Sequence, residues 1–149
     1  MTEREIFDKL RIIEEKVDRI EKSYLKKRGL PWKAGVPSLI VCKDIVTAFD
    51  GKEFDHFDYM MQRLAEFYGI RRMDNRTNPE KVPKTAIACY HSSDKTAYYA
   101  KPTCSITTVL HEFFHHLHHE GVVTLYSDED TEKCANEFAN IVIARGRMP

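Results

Sequence analysis

The chain has 149 residues, enough for one domain with a real core. Its 23 Lys and Arg balance 23 Asp and Glu to a formal charge of zero, which removes the electrostatic case for a nucleic acid or an anionic membrane as partner. No apolar run approaches the ~18 residues that span a bilayer, the charged N-terminus has no signal-peptide pattern, and Cys42, Cys89, Cys104 and Cys134, dispersed and without a CxxC pair, read as the reduced thiols of a cytoplasmic protein rather than as two disulfides.

The first predicted element is a helix from Thr2 to about Lys27. Ile6, Leu10, Ile13, Val17, Ile20 and Tyr24 recur at alternating spacings of four and three, a heptad seam. Lys9 and Lys16 stand where they could pair with Glu14 and Glu21 of a neighbouring helix, so one reading is a short coiled coil that makes a homodimer. The other is an amphipathic helix lying on its own domain. Gly29-Leu30-Pro31 ends the helix, and Gly35-Val36-Pro37 keeps the linker irregular.

From Ser38 to Phe49 the stripe Leu39, Cys42, Ile45, Val46, Phe49 predicts a helix capped by Ser38 and stopped at Asp50-Gly51, although its β-branched content would also suit a strand. A second helix is expected from about Asp55 to Tyr68, with Phe57, Met61, Leu64 and Tyr68 on its core side, His56 at the surface and Gly69 as its end. Arg72–Lys84, rich in Asn, Pro and charge, reads as a loop. Thr85–His91 and Thr96–Lys101, on either side of Ser92-Ser93-Asp94-Lys95, predict a β-hairpin. An exposed edge of the second of these strands could take up an extended substrate.

The hairpin leads into Thr107–Glu120, capped by Thr103 or Ser105 and stopped by Gly121. In a helix at about 100° per residue, His111 and His115 fall one turn apart on one face with Glu112 at its edge, while Leu110, Phe113, Phe114 and Leu117 form a core stripe. An HExxH run of this kind offers two nitrogen ligands to one Zn²⁺ and a general base beside its open position. Five of the seven histidines lie between His111 and His119, so a solvated His-rich face is the plain alternative and a third ligand must be found elsewhere. His118 cannot serve, because seven residues of helix separate it from His111 by about 10 Å. His116 lies off the ligand face and reads as solvated. His118 and His119 suit the C-terminal end of the helix dipole.

Ser127-Asp128-Glu129-Asp130 opens a last helix, periodic from about Thr131 to Ala144. Glu132 and Asn136 share one face beside Ala135 and Ala139, small residues that allow close approach, as a short carboxylate needs to reach a metal. Asn136 could then orient a ligand through a hydrogen bond. Glu129 and Glu137 compete with Glu132, though one precedes the helix and the other points elsewhere; an ordinary first-turn glutamate is the bland reading.

His111-Glu112-x-x-His115 followed after a loop by Glu132-x-x-x-Asn136 resembles the gluzincin metallopeptidases, and more finely the compact ImmA/IrrE-like members and the archaeal minigluzincins. Ala135-Asn136-Glu137-Phe138-Ala139 is similar to the Ala-Asn-x-Phe-Ala segment of the former; the Leu-Met-Pro that commonly follows it is absent at that spacing, and Arg147-Met148-Pro149 comes later. The likeness covers roughly Thr85–Ala144. It implies an α+β, small zincin-like domain at 29–149, several helices on a short hairpin or sheet, preceded by the amphipathic helix of residues 1–28. It also implies a peptidase acting on a protein or peptide substrate, with Zn²⁺ held by His111, His115 and Glu132 and with Glu112 as the base that takes a proton from water. Tyr98, Tyr99, Tyr126, His91 and His119 are the candidates for steadying the oxyanion. Cys104 and Cys134 flank the site in sequence; a zinc-capping thiolate is one reading, inert buried cysteine the other. The alternative function is a zinc-stabilised interaction module without turnover, associating through the N-terminal helix.

Overall fold

The computed structural model describes residues 2–28, 35–52, 57–123 and 128–149, and the side chains of 2–17, 35–52, 57–123 and 131–149. The chain forms two units, Met1–Pro31 and Trp32–Pro149. The first unit is the helix α1 (Glu3–Arg28). The second is an α+β domain: helices α2 (Leu39–Phe49) and α3 (Asp58–Tyr68), strand β1 (Asp74–Thr77), a 3-10 turn at Pro79–Lys81, the hairpin strands β2 (Ala88–His91) and β3 (Thr96–Tyr99), then α4 (Ile106–His119) and α5 (Asp128–Gly146). No helix among the described residues is long and apolar enough to cross a membrane.

Local chemistry sets the boundaries. Ser38 caps α2 by accepting the Val41 N–H, and Ser105 caps α4 by accepting the Thr108 N–H at 3.4 Å. At the other end of α4, Gly121 turns to φ +77°, the Gly121 N–H reaches the His118 carbonyl and the Val122 N–H the Leu117 carbonyl. These paired bonds satisfy carbonyls the helix leaves open, and the left-handed residue between them favours glycine. Helix α3 begins at Asp58 rather than at Asp55; His56 lies outside the described residues.

The expected stripes become the core. Leu110, Phe113, Phe114 and Leu117 of α4 are fully buried, as are Phe138, Ala135, Ala139 and Val142 of α5, Ile45 and Cys42 of α2, and Met60, Met61 and Leu64 of α3. Phe138 meets Phe114 at 5.5 Å and Phe113 at 6.4 Å between ring centroids. Each such ring contributes about 1.5–3 kcal/mol by leaving water. Helix α5 also runs close along α2: a Cβ on Gly146 would fall 2.6 Å from the Cys42 carbonyl oxygen. None of the four cysteines is in a disulfide; the Cys42 thiol is buried, donates to the Pro37 carbonyl and is pushed up to about 12 by burial.

Two expectations about the sheet are corrected. The stretch taken as a loop contains β1, which pairs parallel with β3 from Asp74↔Thr96 to Thr77↔Tyr99. Asp-Asn-Arg-Thr has no apolar alternation and, Thr77 apart, little β-propensity, and it joins the sheet through its ladder and through the Tyr99 hydroxyl, which donates to Asn75 Oδ1 at 2.6 Å. The strand order is therefore β1-β3-β2, with β3 in the middle. The second hairpin strand has no free edge; among the described residues β2 has one. The Ala100 N–H donates to the Ile87 carbonyl at 3.0 Å, and with the antiparallel register Ala88↔Tyr99 to His91↔Thr96 this parity turns the N–H and C=O of Ala88 and Tyr90 away from β3.

Candidate metal centre beside an edge strand

Helix α4 presents His111 and His115 one turn apart, and the opening turns of α5 bring Glu132 to both. His111 Nε2 lies 3.1 Å from Glu132 Oε2, His115 Nε2 lies 2.9 Å from Glu132 Oε1, and the two Nε2 atoms are 3.4 Å apart. A tetrahedral ion with bonds of about 2.0–2.1 Å separates its ligand atoms by about 3.4 Å. Among the described residues these three form the cluster of ligand-type side chains that could hold a metal ion, and no cysteine belongs to it. Cys134 is buried.

The other nitrogen of the His111 ring also has a partner. Asn136 Oδ1, which only accepts, lies 2.8 Å from His111 Nδ1. A proton on Nδ1 would meet this acceptor and leave the Nε2 lone pair towards the Glu132 carboxylate and the second imidazole, the tautomer a metal ligand needs. Burial holds His115 below the usual histidine range, against an opposing pull from Glu132, which favours its neutral, ligating form. Two imidazole nitrogens and a carboxylate converging on one point suit a cation, which would take the place of the ring protons that otherwise meet the carboxylate. The Glu132 side chain is 63% exposed, so the trio opens towards solvent.

Glu112 sits at the edge of this group, Oε1 4.0 Å from His111 Nε2, and is only 6% exposed. Burial, then the negative charge of Glu132, pushes its carboxyl up to about 7. The cluster lies in a cleft of about 1050 Å³, lined by His111, Glu112, His115 and Glu132 together with Pro83 and the segment from Thr85 through Tyr90. Strand β2 and the metal helix thus border the same cleft.

His116, expected in solvent, is 0% exposed. Its Nε2–H donates to the Arg71 carbonyl at 2.7 Å, which leaves Nδ1 to accept the Tyr90 hydroxyl at 2.8 Å. The signal was present in the sequence: His116 follows Phe113 by three and Val109 by seven, within the apolar stripe. Tyr90, which no motif marked, thereby ties the edge strand to α4, and Lys95 adds a second tie to Glu120 at 2.6 Å.

Of the five candidates for an oxyanion donor, three are engaged elsewhere. His91 donates to the Lys81 carbonyl and rests edge-on against Tyr98, whose hydroxyl donates to Asp94; Tyr99 is held by Asn75. Tyr126 lies outside the described residues. His119 lines the cleft, as does His118. No family model, curated protein or solved structure matches this chain.

Proposed function

We propose that the protein is a zinc-dependent metallopeptidase that hydrolyses peptide bonds, with His111, His115 and Glu132 as metal ligands and Glu112 as general base. The observation that carries this reading is the convergence of two imidazole nitrogens and a carboxylate, 2.9–3.4 Å apart, with a buried carboxyl beside them. Two imidazoles and one carboxylate suit zinc in a catalytic rather than a closed structural site. Zn²⁺ bound there would supply Lewis acidity, making a water more acidic and polarising a carbonyl. Glu112 would take the proton of the attacking water and return it to the leaving amine, a task suited to a carboxyl raised towards neutrality. Asn136 would hold the His111 ring in its ligating tautomer. The outward N–H and C=O groups of Ala88 and Tyr90 would bind the substrate backbone as an added strand, in the role first assigned to the other hairpin strand. His119 is the chain's own candidate for the oxyanion.

A zinc-stabilised interaction module accounts for the same three ligands, but gives no reason to bury Glu112 beside them. Replacement of Glu112 by Gln distinguishes the two. The peptidase reading expects unchanged zinc binding and a loss of peptide cleavage of about a hundredfold or more. Equal cleavage by zinc-loaded wild type and variant would exclude Glu112 as the base.

A further inference from the structure

Helix α1 carries a feature that the metal centre does not use. In its heptad register Ile6, Ile13 and Ile20 occupy the d positions and Leu10, Val17 and Tyr24 the a positions. Ile6, Leu10 and Ile13 are 45%, 51% and 56% exposed. Lys9 and Lys16 stand at g, Glu14 and Glu21 at e. In a parallel coiled coil each g residue meets the e residue five positions further on in the neighbouring strand, so Lys9 faces Glu14 and Lys16 faces Glu21, in both directions. In an antiparallel pair g faces g and e faces e, which sets lysine against lysine and glutamate against glutamate. Lys9, Glu14 and Lys16 are exposed, so these charges are free to choose.

We propose that α1 binds the same helix of a second copy of this chain, parallel and in register, with Lys9 and Lys16 of each copy paired with Glu14 and Glu21 of the other. The apolar seam supplies the attraction and the charges supply the direction. The same pairing serves more than two strands, and isoleucine at d with Leu10 at a is a layering that also admits three or four. This proposal is independent of the peptidase reading.

Sedimentation equilibrium on the full chain tests it, with two charge-reversed variants, Lys9→Glu/Lys16→Glu and Glu14→Lys/Glu21→Lys. The wild type should self-associate. Each variant alone should associate more weakly, by roughly tenfold or more, and an equal mixture of the two should recover the wild-type association. That recovery excludes simple misfolding. A wild type that stays monomeric overturns the proposal. So do variants that associate as the wild type does, the outcome for an antiparallel pair or another surface, and so does a loss that mixing fails to repair.

Discussion

Asn136 Oδ1 lies 2.8 Å from His111 Nδ1, and Asn136 stands one helical turn beyond Glu132, whose carboxylate meets the other nitrogen of the same ring. One imidazole is thus met at both of its nitrogens by a single face of α5. This explains why the helix offers a glutamate and an asparagine four residues apart, and why fully buried alanines, Ala135 and Ala139, accompany them.

The Asn136→Ala variant should therefore bind zinc about 10–100-fold more weakly, because the ring loses the acceptor that holds its proton on Nδ1. Asn136→Asp, which keeps an acceptor, should stay near wild type. Competition with a chromophoric chelator measures both, and an Ala variant of undiminished affinity would remove Asn136 from the site.

Gly146→Ala should destabilise the domain by about 1–3 kcal/mol, the usual range for overpacking. The added methyl would lie 2.2 Å from Val46 Cγ2 and 2.6 Å from the Cys42 carbonyl oxygen, and the second neighbour is backbone that cannot swing aside. Urea denaturation should show a lower midpoint with an unchanged slope.

His116 predicts a dependence of stability on pH. Burial lowers its pKa from the ordinary value of 6.5, while a proton on Nδ1 would also end its acceptance of the Tyr90 hydroxyl. Below 6.5 the unfolded chain takes up this proton before the folded one does, so stability falls as pH drops through that value towards the folded pKa. The His116→Phe variant should lose this share of the slope. Urea titrations of the chelated proteins between pH 7.5 and about 5 give the comparison, and parallel profiles would mean that the folded histidine titrates normally.

Ala88→Pro removes an N–H that points away from the sheet, at an edge position that tolerates proline. Zinc binding should persist while kcat/KM for peptides falls about tenfold, mainly through KM, since a hydrogen bond to the substrate backbone is lost. Steady-state kinetics on one peptide series would expose the error if KM did not change.

Much of this site was legible because helical periodicity is a one-dimensional signal. The spacing of His111 and His115, the stripe opposite them and the pairing of Glu132 with Asn136 follow from 3.6 residues per turn. Gly121 and Ser105 mark the ends of α4 by local chemistry. What escaped depends on contacts distant in the chain. β1 is a strand because β3 accepts it, not because Asp74–Thr77 prefers to be one. Which hairpin strand has the free edge then follows from β1. The burial of His116 required partners on two other elements, the Tyr90 hydroxyl and the Arg71 carbonyl, and its polarity argued for solvent more loudly than its place in the stripe argued for the core.

Metal analysis of the purified chain beside its His115→Ala and Glu132→Ala variants tests the central claim most directly. One zinc per wild-type chain, lost from both variants while their helix content is kept, is the result expected of a cation held jointly by α4 and α5. A wild type that takes up no zinc, or variants that keep it in full, would contradict the assignment.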